Sequence, residues 1–191
     1  MLIILLLCLG STLRAQELLF DDGWKFSLGD AASPEKDFGR GTEYFNYLTK
    51  AASIHNSGPY AMDFDDSAWK EVQLPHDWVV DLPFDPEASH SHGYKTVGWK
   101  YPETSVGWYR KHFTVPASAE GERIALRFDG IFRDSDVWVN GFWLGGERSG
   151  YVSARFFEGC WLCQWSSEVR GAGVYGRCTG AAVGFRRPRA A

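Results

Sequence analysis

Leu74-Pro75-His76-Asp77-Trp78 sets an imidazole, a carboxylate and an indole in succession behind a proline that fixes the chain. Such a run suits a general acid/base pair in which Asp77 orients His76. It equally suits a turn leaving a strand, with Asp77 bonded to nearby amides and Trp78 packed in the core. Phe128-Asp129-Gly130-Ile131-Phe132-Arg133-Asp134-Ser135-Asp136 carries three carboxylates and an arginine within nine residues. Asp134 and Asp136 would share one face of an extended chain, and carboxylates about 5–10 Å apart are what glycoside hydrolysis uses. A turn with a local ion pair to Arg133 is the plainer account. His90-Ser91-His92 offers two metal ligands without a third beside them, so a solvated loop is expected. Cys160-Trp161-Leu162-Cys163 is a lone C-x-x-C with only Cys178 after it, which supports neither a zinc nor a redox site. No metal and no cofactor are expected.

The elements that must position these groups read as all-β over residues 17–156. Arg123-Ile124-Ala125-Leu126-Arg127-Phe128 alternates apolar with mostly polar residues, as a half-buried strand does. Along Val106–Val115, Tyr109, Lys111 and Phe113 fall on one face and Trp108, Arg110 and His112 on the other; Pro116 ends the run. Val137-Trp138-Val139-Asn140-Gly141-Phe142-Trp143-Leu144 places Asn-Gly between β-formers, the signature of a tight hairpin. No stretch shows a helical period with caps. The pattern predicts a β-sandwich of the jelly-roll kind. Residues 30–66 and 83–105 are turn-rich, and long connections of this kind usually carry binding surfaces. Trp78, Trp99, Trp108, Trp138 and Trp143 are too many for one core to hide, so at least one exposed stacking platform is expected.

Composition sets the outer bounds. The 191 residues carry 20 Lys and Arg against 24 Asp and Glu, a net charge of −4. A mildly acidic body without a basic stripe excludes ordinary nucleic-acid binding, because phosphate attraction supplies most of that affinity. Leu2-Ile3-Ile4-Leu5-Leu6-Leu7-Cys8-Leu9 is too short to span a membrane and fits the apolar core of an export signal over residues 1–16. The expected location is therefore secreted or periplasmic. Residues 157–191 break the pattern: five Arg, no Lys, two Glu and three of the four Cys. No strand alternation is read beyond Phe157. A reading frame lost near Phe156 accounts for this tail; a basic segment that docks on an acidic partner is the alternative.

The same residues resemble the N-terminal domain of glycoside hydrolase family 2, the family of β-galactosidases, β-glucuronidases and β-mannosidases. The matching stretches are Phe64-Asp65-Asp66-Ser67-Ala68-Trp69-Lys70, Leu74-Pro75-His76-Asp77-Trp78, Gly107-Trp108-Tyr109-Arg110-Lys111, and Phe128-Asp129-Gly130 running into Asp134-Ser135-Asp136-Val137-Trp138-Val139-Asn140-Gly141. The insertion with Tyr44-Phe45-Asn46-Tyr47-Leu48-Thr49-Lys50 looks most like the exported β-galactosidase branch. The resemblance implies a jelly-roll, galactose-binding-domain-like sandwich known as the sugar-binding domain. In the family an immunoglobulin-like sandwich and a (β/α)₈ barrel with two catalytic glutamates follow, so no catalytic residue is expected before residue 191. It further implies that Asp77 approaches the sugar while His76 and Trp78 shape the turn, with a β-galactoside-like carbohydrate and the remainder of the hydrolase as partners. After Phe156 the family pattern of an Asp-Leu-Thr-like strand is missing, so a sandwich short of one or two strands is expected. A stand-alone carbohydrate-binding module is the alternative.

Overall fold

The computed structural model describes residues 17–33, 35–36, 58–61, 63–98, 100–113, 124–132, 135–139, 142–149, 151–158 and 181–186. Among them are eight strands: β1 (Trp24–Leu28), β2 (Lys70–Val72), β3 (Val106–Lys111), β4 (Ile124–Phe128), β5 (Ser135–Val139), β6 (Phe142–Glu147), β7 (Ala154–Glu158) and β8 (Ala181–Arg186). One sheet runs β2-β1-β3-β8-β5-β6 and a second pairs β4 with β7. Every pairing is antiparallel. The predicted all-β class is what the chain adopts. β5 and β6 pair with Val139 opposite Phe142, the register of a two-residue connection at positions 140–141. No helix of the described residues is long and apolar enough to cross a membrane.

Period-2 alternation places the core on both faces of the larger sheet. Tyr109, Val137 and Val139 join Trp24, Trp78 and Leu82 in one cluster, which Phe156, Leu126 and Phe128 of the smaller sheet close from the far side. Val106, Trp108 and Trp138 point the other way, into a cluster completed by Tyr60 and Trp69. The Tyr60 ring stacks on Trp138 at 5.6 Å, so residues 58–69 cover the outer face of the sheet as a third layer. Coverage on both sides explains why β3 is buried almost throughout instead of alternately.

That outer layer is also tied down by charge. Lys25 and Arg110 lie opposite one another across β1 and β3, a like-charged pair that opposes sheet formation on its own. Asp66 sits between them: Lys25 Nζ donates to Oδ1 at 2.7 Å and Arg110 Nε to Oδ2 at 2.9 Å. His112 Nε2 approaches the same Oδ2 at 2.8 Å. Arg110 Nη1 donates in addition to the carbonyls of Pro59 and Ala61, which fixes the segment before Asp66 to the sheet.

One finding departs from the sequence reading, which places no strand after Phe157 and leaves the sheet short. β7 continues to Glu158, and Ala181–Arg186 enters the larger sheet between β3 and β5. The missed strand has a physical reason. Ala181-Ala182-Val183-Gly184-Phe185 is a short continuous apolar run without the polar alternation by which a half-buried strand is recognised. The edges of the sheet are therefore β2, only three residues long, and β6. The expected export signal at 1–16, residues 159–180, and the positions of Tyr44, Trp99, Arg133 and Asp134 lie outside the described residues.

Candidate functional site

The connection from β2 to β3, residues 73–105, is the longest continuously described loop apart from position 99, and it is stapled throughout. Three short 3-10 turns, Trp78–Asp81, His90–His92 and Pro102–Thr104, break it into segments. Lys95 Nζ reaches back to the carbonyls of Val80 and Leu82 at 3.0 and 2.7 Å. Ser105 Oγ accepts from Gly98 N at 2.9 Å and lies 2.8 Å from its carbonyl oxygen. Such internal bonding makes a rigid platform from a segment without regular structure.

The His76–Asp77–Trp78 turn leaves β2 on this platform, after a cis peptide at Leu74–Pro75. Trp78 is buried, its Nε1 donating to Thr104 O at 3.2 Å across the loop. Its six-membered ring lies against Gly107 of β3, where a Cβ would stand 3.0 Å from two ring carbons. Only glycine there lets the indole seat so close, and Gly107→Ala is expected to push Trp78 outward at a cost of about 1–3 kcal/mol. Denaturant unfolding followed by tryptophan emission measures both the loss and the displacement.

Asp77 is exposed, and its Oδ1 accepts from Val79 N at 3.0 Å to cap the 3-10 turn. His76 is half-buried between Phe26 and Tyr109, with ring centroids 5.0 and 5.6 Å away. Its Nδ1 lies 2.6 Å from the Tyr109 hydroxyl. Burial, and after it the Lys70 charge, pull the imidazole below its ordinary pKa, against Asp81 and Asp77, so His76 is neutral near pH 7. Burial first, then the charge of Asp77, hold the Tyr109 phenol far above its usual range. The two alternatives for this run are thereby resolved in one respect. Nδ1 faces the Tyr109 phenol and Asp77 Oδ1 accepts from a backbone amide, the arrangement of a clamped turn.

The other sequence candidates are not brought together. Asp136 is fully buried, its Oδ1 accepting from Trp143 Nε1 at 2.9 Å and from Arg148 Nη2 at 3.0 Å. Asp129 is exposed and pairs with Arg127 at 2.9 Å. His90–His92 forms an exposed 3-10 turn, and among the described residues no group of three potential metal ligands occurs. Of the tryptophans named above, Trp78, Trp108 and Trp138 are core, while Trp143 is exposed at 37%. The apolar surface near the turn comes instead from Val80 and Phe84, with the Phe84 ring 5.4 Å from that of Tyr94. Sequence reasoning passed over Tyr109 as a site residue. Its placement on the same β3 face as the core was the available signal.

Fold and site together define an antiparallel β-sandwich whose chemistry-bearing feature is a presented turn on a rigid loop. No family model matches the chain. It is 38% identical over 90 residues to the β-galactosidase BoGH2A of Bacteroides ovatus, covering 47% of this chain and 10% of that protein. It is 33% identical over 94 residues to a putative β-glucuronidase of Formosa agariphila, covering 49% and 9%. The solved β-glycosidase of Bacteroides vulgatus shares the fold, with a TM-score of 0.55 at 24% identity over 87% of this chain and 16% of that one. A glycosyl hydrolase family 2 member from Bacteroides cellulosilyticus superposes similarly, at a TM-score of 0.54. The sandwich thus shares the fold of solved glycoside hydrolase family 2 members, and about half of the chain is similar in sequence to β-galactosidases and β-glucuronidases. The chain spans about a tenth of the length of the curated relatives it matches.

Proposed function

We propose that this sandwich is the sugar-binding domain of an exported β-galactosidase-like glycoside hydrolase, with no catalytic glutamate among its own residues. The His76–Asp77–Trp78 turn is the part that meets the carbohydrate. The observation that carries this reading is the clamped, outward carboxylate. Trp78 is anchored to Thr104 and β3, His76 to Tyr109, and Asp77 between them is exposed. A carboxylate acceptor held on a preorganised turn suits a polyhydroxylated ligand, because the ordering cost of the loop is met before binding. Retaining relatives of this kind use two carboxylates for hydrolysis, and in this reading those belong to a barrel that this domain serves by holding substrate.

The test separates holding the turn from holding the sugar. In Asp77→Asn the amide oxygen still accepts from Val79 N, whereas the charge is gone. Titration of methyl β-galactoside into the 191-residue chain, followed by tryptophan fluorescence and amide chemical shifts, is expected to show millimolar binding. Asp77→Asn is expected to weaken it about tenfold, the equivalent of one charged hydrogen bond. Hydrolysis of a nitrophenyl β-galactoside by the purified chain is expected to stay at background. Unchanged affinity in Asp77→Asn removes the turn from the sugar site, and turnover by the chain alone contradicts the purely binding role.

A further inference from the structure

We infer that the cleft between residues 87–92 and the Gly98/Tyr101 bridge is a second carbohydrate-contact site, one that takes a single uncharged sugar ring. It shares no residue with the 76–78 turn. From the reading under Proposed function it takes only that this domain meets carbohydrate.

Asp85 joins the two walls of this cleft. Its Oδ1 accepts from Glu87 N at 2.9 Å and its carbonyl from Ala88 N at 2.9 Å, which folds the chain into the first wall. Ser89 O then accepts from His92 N and Tyr94 N at 3.0 and 3.1 Å, and Asp85 N donates to Tyr94 O at 2.8 Å, closing that wall on itself. The second wall is a tight turn in which Tyr101 N donates to Gly98 O at 3.0 Å. Gly98 has φ +108°, a backbone conformation that residues with a Cβ rarely adopt. The Tyr101 hydroxyl crosses to Asp85 Oδ2 and locks one wall to the other. Both walls are therefore in place before a ligand arrives, which keeps the ordering cost of binding low.

The cleft holds about 150 Å³, room for one small ring and below the roughly 300–1,000 Å³ of sites for drug-sized ligands. Its lining is amphipathic. Val97 and Gly98 are buried and apolar, and the Tyr101 phenol has its proton committed to Asp85, so that residue contributes chiefly its ring. With them stand Glu87, which only accepts, Lys100, which only donates, and Ser89, which does both. Ser89 Oγ lies 2.8 Å from Ser91 Oγ, itself 3.3 Å from Nδ1 of His92, a chain that steadies this side of the cleft. A pyranose is the complement of such a lining, since it carries an apolar C–H face ringed by hydroxyls that donate and accept. Charge decides which pyranose. The bond to Asp85 first, then burial, then the charges of Asp85, Glu87 and Glu103 raise the Tyr101 phenol above its ordinary pKa. Lys100 acts in the opposite sense beside Asp85. Carboxylates outnumber the ammonium here, which repels a uronate and leaves an uncharged sugar unaffected.

The experiment titrates the 191-residue chain with methyl β-galactoside and with methyl β-glucuronide and reads amide shifts residue by residue. In the wild type the galactoside is expected to shift Glu87, Ser89, Gly98 and Tyr101 with a millimolar midpoint, and the glucuronide to bind at least about threefold more weakly. Tyr101→Ala is expected to weaken the galactoside about fivefold at these amides, with near-UV circular dichroism as the check on its fold. Glu87→Lys, at an exposed position, leaves the Asp85 bonds in place and is expected to close the gap between the two glycosides. Galactoside shifts confined to residues 76–78 overturn the second site and leave the turn as the sugar contact. Shifts confined to the cleft support the second site and remove the turn from sugar binding, and silence at both overturns both readings. Equal binding of the two glycosides by the wild type, or an unchanged gap in Glu87→Lys, overturns the assignment to an uncharged ring.

Discussion

Asp66→Ala is expected to destabilise the sandwich by about 3–5 kcal/mol, the range for breaking a buried ion pair by removing one partner. For a chain of this size that is a drop in Tm on the order of 10 °C. The carboxylate is 8% exposed and the Arg110 side chain 3%, so neither charge has solvent to fall back on. Without Asp66 the like-charged Lys25 and Arg110 would face each other across β1 and β3 with nothing between them. Arg110 keeps its bonds to Pro59 and Ala61, which argues for the lower half of the range. Asp65 next door provides the control. Its carboxylate caps Ser67 N from an exposed position, and Asp65→Ala is expected to leave the urea midpoint nearly unchanged.

The same cluster sets a pH dependence with a definite sign. Burial pushes the Asp66 carboxyl up, but hydrogen bonds from Lys25, Arg110 and His112 outweigh it and bring the group from 3.8 down to about 2. A carboxyl depressed in the folded state contributes stability that is fully present above its unfolded value and is lost as pH falls through the folded one. The contribution, about 2 kcal/mol, is therefore complete above pH 4 and gone near pH 2. Urea midpoints from pH 6 to pH 2 are expected to converge for wild type and Asp66→Asn at the acid end. Parallel curves that never converge contradict the ion-pair account.

The strands that bound the site were legible because their patterns are local. Alternation marked β3 and β4, Asn140-Gly141 marked the β5–β6 hairpin, and Pro75 with Asp77 marked the turn. What was not legible depends on pairs far apart in the chain. Asp66 meets Lys25 across 41 residues and Arg110 across 44, and nothing in Asp65-Asp66 itself tells the buried carboxylate from the exposed one. His76 and Tyr109 meet across 33 residues, and their contact converts an apparent acid/base dipeptide into a clamped turn. β8 escaped because Ala181-Ala182-Val183-Gly184-Phe185 carries no apolar–polar alternation by which a strand is recognised. Asp136 stood between an acid pair and a turn with a local ion pair to Arg133, and its place on β5 makes it a buried acceptor instead.

Gly146→Ala is expected to cost about 3 kcal/mol, at the top of the usual range for overpacking. Gly146 lies opposite Asp136 in the β5–β6 ladder. A Cβ there would stand 2.4 Å from Ser135 O and 2.5 Å from Asp136 Oδ1, both far inside contact distance. Neither atom can yield cheaply. Ser135 O belongs to the backbone of a fully buried strand, and Asp136 Oδ1 is held by Trp143 Nε1 and Arg148 Nη2. The added methyl must therefore lift the β6 edge or expel the carboxylate from its two donors. The two routes separate experimentally: expulsion breaks the Trp143 bond and shifts its emission, whereas lifting exposes β6 amides to hydrogen exchange. Asp136→Ala removes one of the two clashes and leaves the other, so the double variant with Gly146→Ala is expected to be less damaged than the sum by at least about 0.5 kcal/mol. Strict additivity in the urea midpoints would mean that the methyl never meets the carboxylate, and that β6 accommodates alanine by moving as an edge strand.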